Sequence, residues 1–184
     1  MDIAAIGFRA KTGRAIAVII AGDPPRMIWQ DEVSLVDAAY PYEEGPYHPF
    51  IEMPWSDALA GVQPIVDAIE TRAGVVLRDI IKDARAKKIR IRAVGVVGSP
   101  PRNVETIGNR HMRAHAAEGI LFRRVLEEAA KQLELRCVAF SHRELVPSPL
   151  MKKMGRADVR LAATAAWIAL RGAPASAGNT TLTG

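Results

Sequence analysis

Two histidines and a glutamate recur at helical spacing in the middle of the chain. His111, His115 and Glu118 stand at positions i, i+4 and i+7, so a helix places all three on one stripe of its surface. A histidine oriented by a carboxylate can move protons, which predicts His115 and Glu118 as an acid–base pair. The three side chains can instead converge on zinc or another borderline divalent metal. A purely structural pairing, in which His115 satisfies Glu118 at a buried helix start, is the third interpretation.

The elements around this stripe predict a strand–helix–strand unit. An almost unbroken apolar run, Ala93 to Val97, indicates a strand covered on both faces, and Gly98-Ser99-Pro100-Pro101 ends it. The helix with the histidines follows, and 134–140 (ELRCVAF) predicts another strand. A unit of this length requires a parallel strand pair with a right-handed crossover.

The first third of the chain predicts three antiparallel strands, at 3–8, 14–21 and 26–36, joined by short turns. From Tyr40 to Trp55 aromatic residues alternate with prolines, which indicates a long loop serving as a lid, a stacking surface or a plug at the core edge. A helix capped at Ser56-Asp57 is predicted to run to Lys88 with interruptions near Pro64 and Gly74. Residues 150–154 predict a short helix, and 158–170 predict a final helix.

This order of elements resembles the ribonuclease H-like fold. The hairpin Ile6-Gly7-Phe8-Arg9-Ala10-Lys11-Thr12-Gly13-Arg14-Ala15-Ile16-Ala17-Val18 is similar to the first hairpin of the Holliday-junction resolvase branch, and Ala157-Asp158-Val159-Arg160-Leu161-Ala162-Ala163 is similar to its last helix. The resemblance implies an α/β fold with a five-stranded mixed sheet, three antiparallel then two parallel strands, flanked by helices. We expect one domain at 1–171 and a disordered tail at 172–184.

The family's catalytic carboxylates are mostly missing. Enzymes of this fold hold two magnesium or manganese ions through Asp and Glu residues, because hard cations prefer oxygen ligands. This chain has Phe8 where the first strand should present an aspartate, and 95–99 carries no acid where the fourth strand should end in one. Asp158 alone remains, so the resemblance does not extend to the usual two-metal nuclease mechanism.

The resemblance also implies where a ligand would bind. Its first and fourth strands run parallel, and sites in such sheets form beyond the carboxyl ends of the strands. We therefore expect basic and polar residues to gather there with the start of the histidine helix and to bind phosphate. The predicted phosphate-binding residues are Arg9, Lys11, Ser99, Arg102, Asn103 and Arg113, and the predicted metal ligands are His111, His115 and Glu118.

Charge and composition narrow the function classes. A formal charge of +5 and a pI near 9.7 favour an anionic partner such as nucleic acid or a phosphorylated small molecule. The single cysteine and the lack of a long apolar segment predict a cytoplasmic protein without disulfides or a membrane span. The leading hypothesis is a divergent nucleic-acid-binding domain. One alternative is an enzyme, in that case a hydrolase, that acts on a small phosphorylated or carboxylated substrate and uses His111, His115 and Glu118 either for acid–base chemistry or to hold a divalent metal cofactor. The other is an assembly subunit that dimerises through the final helix and Trp167.

Overall fold

A five-stranded mixed sheet forms the centre of the molecule. The computed structural model describes residues 1–37 and 45–172. The strands are β1 (Asp2–Lys11), β2 (Arg14–Ala21), β3 (Arg26–Ser34), β4 (Ile89–Gly98) and β5 (Arg136–Ser141), in the spatial order β3-β2-β1-β4-β5. The first three strands pair antiparallel, and β4 pairs parallel with both β1 and β5. This confirms the α/β, ribonuclease H-like topology that the order of elements predicted.

Two helices cover one face of the sheet and a third covers the other. The helices are α1 (Trp55–Ala86), α2 (Arg110–Gln132) and α3 (Ala157–Arg171), with short 3₁₀ turns at His48–Phe50 and Pro149–Met151. Ile6 and Phe8 of β1 pack with Leu77 of α1 and Phe122 of α2 in one core. Ala5 packs with residues of α3 in a second core on the opposite face. Successive residues of β1 therefore serve different cores, as the two-residue period of a strand requires.

Helix α1 is continuous, which corrects the predicted interruptions. It runs for 32 residues through Pro64 and Gly74. Pro64 is exposed, so water can bond the carbonyl whose partner the proline removes, and Gly74 is buried within the packed face. The predicted Ser56 cap is also wrong: Pro54 occupies the N-cap position, no side chain caps the helix, and Ser56 lies in the first turn. Burial of the apolar face along the whole helix outweighs these local signals.

The backbone of helix α3 approaches the sheet very closely at two glycines. Gly7 of β1 and Gly95 of β4 are direct neighbours in the parallel pair. A Cβ atom at Gly7 would lie 1.9 Å from the Ala162 carbonyl oxygen, and one at Gly95 would lie 2.4 Å from that of Ala165. The apolar face of α3, including the half-buried Trp167, is therefore used within the chain. A homodimer through this helix remains a prediction.

The remaining boundaries differ from the predictions by a few residues. Strand β3 ends at Ser34, β5 covers Arg136–Ser141, and the helix predicted at 150–154 is the 3₁₀ turn Pro149–Met151. Gly172 ends α3 with a positive φ of 80°, as glycine often does after a helix. The predicted disordered tail otherwise lies outside the described residues, as do Tyr40 and Tyr42 of the aromatic loop.

Candidate functional site

Helix α2 begins directly at the histidines. Asn109 is the N-cap, and its side-chain oxygen accepts a hydrogen bond from the Met112 N–H at 2.9 Å. This cap fixes where the helix starts and so places His111 in the first turn and His115 in the second. Both histidines are exposed, whereas Glu118, one turn further, is completely buried.

A third histidine reaches this helix from the aromatic loop. The 3₁₀ turn His48–Phe50 packs against α2, and the buried His48 places its Nδ1 2.8 Å from Glu118 Oε1. The Tyr47 backbone N–H donates to the same oxygen at 3.2 Å, which favours the His48 tautomer that has its proton on Nδ1 and donates it to Oε1. Its other ring nitrogen, Nε2, is buried without a hydrogen-bond partner among the described residues.

The three histidines form a compact cluster. One ring nitrogen of each lies within 4.8 Å of the others, and the Nε2 atoms of His111 and His115 are 3.0 Å apart. The ring centroid of His48 lies 4.9 Å from that of His111 and 4.5 Å from that of His115. A tetrahedral metal with bonds of about 2.0 Å separates its nitrogen ligands by about 3.3 Å. The cluster is thus close to the spacing that one metal ion requires.

Glu118 lies beside the histidine cluster and bonds one of its members, His48. Burial raises the pKa of its carboxyl above the ordinary value, and the hydrogen bond and charge of His48 oppose that rise. A ligand histidine in a metal site commonly donates its second nitrogen to a carboxylate, and the His48–Glu118 pair has this arrangement. Gly45 permits it: its φ is +122°, and a Cβ there would lie 2.3 Å from the Glu118 carboxyl carbon.

The structure brings the predicted His111, His115 and Glu118 together, but Glu118 hydrogen-bonds His48 and does not hydrogen-bond His115. Glu118 Oε2 lies 3.6 Å from His115 Nδ1, longer than a hydrogen bond, while its Oε1 serves His48. Among residues 1–37 and 45–172, the group with metal-ligand spacing contains His48 in the place predicted for Glu118. The sequence offered no spacing signal for His48, which lies 70 residues from Glu118 in the chain.

Arg9 and Lys11 lie on the opposite face of the sheet, so the prediction that they share a pocket with the histidines is wrong. They project toward α3, where Arg9 Nε lies 3.4 Å and Lys11 Nζ lies 2.5 Å from the Asp158 carboxylate. Partial burial raises the pKa of Asp158, but the contacts with Lys11 and Arg9 outweigh it and hold that pKa below its usual value. The strands do meet at the expected edge; it is the side-chain alternation that separates the two groups.

The other predicted phosphate ligands lie on the histidine side. Ser99 lies against α2, where a Cβ at Gly119 would be 2.5 Å from its hydroxyl oxygen. Arg113 donates from Nε and Nη2 to the Ile107 carbonyl and so holds the 99–109 loop on α2. Arg102 and Asn103 are exposed at this loop and border a cleft beside Tyr47.

The cleft is lined by two aromatic residues of the predicted 40–55 loop and by Arg124, which the sequence did not single out. Tyr47 and Trp55 stack with centroids 5.6 Å apart and planes at 23°, and Arg124 lies across from them on α2. The Arg113 guanidinium lies 5.6 Å from the centroid of the Trp55 ring. The crowding of aromatics in the 40–55 segment was the one available signal, and it did not indicate which of them face α2.

Similarity to known proteins is found among solved structures. The α/β sheet with this strand order is the ribonuclease H-like class. No protein-family model matches the sequence, and no curated protein matches it. Among solved structures, the chain is similar to Thermus thermophilus RuvC in complex with a Holliday junction substrate, with 14% identity, a TM-score of 0.44 and 90% of each chain covered. It is also similar to another Thermus thermophilus RuvC structure, with 12% identity, a TM-score of 0.40, and 90% of this chain and 91% of that chain covered.

No helix within residues 1–37 and 45–172 has the length and apolar character needed to span a bilayer.

Proposed function

We propose that this chain is a divergent ribonuclease H-like domain that binds a phosphate-bearing ligand, foremost nucleic acid, where α2 begins. We further propose that His48, His111 and His115 hold one divalent transition metal there. The observation that carries the metal site is His48: its Nδ1 is bonded to a buried carboxylate, while its buried Nε2 has no partner among the described residues. A buried polar atom without a partner is costly, and a metal bond would satisfy it.

The donor set indicates the class of metal. Three neutral imidazoles suit zinc and its neighbours better than magnesium, which prefers oxygen ligands. Three protein ligands leave a coordination position for water or substrate, and such an ion polarises phosphoryl oxygens and activates water. If the domain is an enzyme, it is therefore a hydrolase acting on a phosphoester.

Acid–base catalysis by His115 without a metal is the second candidate function. The proximity of His115 Nδ1 to Glu118 Oε2, at 3.6 Å, favours it, because a buried carboxylate stabilises a neighbouring protonated imidazole. This candidate requires Glu118 to serve His115 as well as His48. It differs from the metal proposal in needing no bound ion, so the two are separated by metal analysis.

Metal analysis tests the proposal directly. We expect the purified chain, dialysed against Zn²⁺ and then against metal-free buffer, to retain one zinc ion per chain at pH 7.5 by elemental analysis. Because the ligands must be unprotonated and free histidine titrates near pH 6.5, affinity should fall steeply below about that pH. Stoichiometry below one at saturating Zn²⁺, or an affinity independent of pH between about 5 and 7.5, would count against the site.

Salt dependence tests the nucleic-acid part. Binding of a fluorescent oligonucleotide should weaken as NaCl rises from 50 to 200 mM, with a log–log slope set by the number of phosphates contacted. Arg102→Met should reduce the magnitude of that slope by about one, because one phosphate contact is lost. Arg90→Met, an exposed change on β4, is the matched control. Equal slopes for both variants would remove Arg102 from the phosphate-binding surface.

A further inference from the structure

A cleft opens beside the histidine cluster. It lies between the start of α1, the 102–105 turn and α2, and has a volume of about 330 Å³. Small-molecule sites begin at about this size, which suits a ligand as large as one nucleotide. The lining residues that carry the argument are Tyr47, Trp55, Arg102, Asn103, Glu105 and Arg124.

One wall of the cleft is aromatic. Tyr47 and Trp55 are both half-buried and already stacked on each other, which holds their rings in place. Fixed aromatic side chains bind nucleobases through their π faces without selecting one base, and they lose little conformational freedom on binding. The aromatic wall therefore favours a ligand with a flat heterocycle.

The opposite side of the cleft carries charge. Arg102 has no ion-pair partner within the described ranges 1–37 and 45–172, whereas Arg124 Nη2 lies 2.9 Å from Glu70 Oε1. Arg102 is thus the guanidinium available for a phosphate. Glu105 also borders the cleft and disfavours a purely anionic ligand, but its carboxylate can accept from the amino group of a base or a sugar hydroxyl. An aromatic group with one phosphate matches this mixed surface.

The cleft and the histidine cluster share a backbone segment. Tyr47 lines the cleft, the next residue is His48, and the Tyr47 N–H donates to the carboxylate that orients His48. A ligand in contact with Tyr47 would therefore touch the residue that precedes His48 in the chain.

We propose that the cleft binds a single nucleotide unit, with its base against Tyr47 and Trp55 and its phosphate at Arg102. This inference rests on the proposed function and names its ligand class. The unit is either a free nucleotide or an unpaired nucleotide of a strand, since both present the same chemistry.

Calorimetric titration of the full chain with adenosine 5′-monophosphate, inorganic phosphate, a single-stranded oligonucleotide and its duplex tests the proposal. We expect the monophosphate or the single strand to bind, and the duplex and inorganic phosphate to bind at least about tenfold more weakly. Trp55→Leu should weaken nucleotide binding by about tenfold or more, whereas Trp55→Phe, which keeps a ring, should retain most of it. Arg102→Met should weaken nucleotide binding, and Arg90→Met should not.

The combined results either identify the ligand of the cleft or reject the cleft as a nucleotide site. Binding of the monophosphate indicates a free nucleotide, and binding of the strand alone indicates an unpaired position in nucleic acid; both support the cleft. Equal binding of single strand and duplex, or Trp55→Leu and Trp55→Phe with unchanged affinity, overturns it. Zinc content is measured on the same samples: normal zinc without nucleotide binding rejects the cleft alone, and loss of zinc in the wild-type chain rejects the metal site.

Discussion

Replacing His48 by alanine is expected to weaken Zn²⁺ binding by at least about 100-fold. Removing a residue that only orients a ligand already costs 10- to 100-fold in other metal proteins, and His48 is proposed as a ligand. The change also leaves Glu118, which is completely buried, without its imidazole donor. Competition titration with a chromogenic chelator at pH 7.5 measures the affinity.

The fourth histidine of the chain supplies the control. His142 follows the end of β5 and lies outside the cluster, so His142→Ala should leave Zn²⁺ affinity within about twofold. Stability gives a second readout, because a ligand at 100 times its Kd adds about 2.7 kcal/mol to the free energy of unfolding. His48→Ala should lose that zinc-dependent gain and His142→Ala should keep it. If both variants retain it, His48 is not a metal ligand.

The strands and the turn between β1 and β2 could be predicted from the sequence because each local pattern there has a single structural explanation. The unbroken apolar run of β4 reflects a central strand buried on both faces, and Gly13 marks the tight turn between β1 and β2 with a φ of +74°. The continuity of α1 was not readable, since it depends on which side of the helix Pro64 faces. That side is fixed by packing against the sheet, not by the local sequence.

The candidate site was only half predictable for the same reason. His111, His115 and Glu118 share one helix, so their spacing in the chain fixes their relation in space. His48 belongs to another segment, and its contact with Glu118 exists only after that segment packs against α2. Local periodicity therefore identified two of the three clustered histidines and the carboxylate behind them, but it assigned the carboxylate a direct role in the metal set.

The strand period in the sequence is sufficient to place Arg9 and Lys11 on the face of the sheet opposite to the histidines. Adjacent residues of a strand project to opposite faces, and Phe8 is the large apolar residue between them and Gly7. Because Phe8 packs in the core under α1 and α2, Arg9 and Lys11 must face α3. There they form ion pairs with Asp158. The topology determines that Arg9 and Lys11 lie at this edge of the sheet, and the two-residue period of the strand determines which face they project from.

The same alternation explains why Gly7 is glycine. It shares a face with Arg9, and α3 approaches it so closely that the Ala162 backbone occupies the space of a side chain. The similarity to the resolvase hairpin drew attention to the residue beside Gly7 as a missing aspartate. The structure gives Gly7 a packing function instead, together with Gly95 on the neighbouring strand.

Gly7→Ala is accordingly expected to lower the free energy of unfolding by about 3 kcal/mol, near the upper end for overpacked cores. The obstacle is backbone, with 1.9 Å to the Ala162 oxygen and 2.7 Å to its carbonyl carbon, so no rotamer change relieves it and α3 must shift outward. Gly108→Ala is the matched control, because a Cβ there has no neighbour within 4 Å, and its effect should stay within about 0.5 kcal/mol. Urea unfolding monitored by circular dichroism compares the two midpoints. A Gly7→Ala midpoint equal to that of Gly108→Ala would mean that α3 does not rest on the two glycines, and the close packing of this helix on β1 and β4 would have to be abandoned.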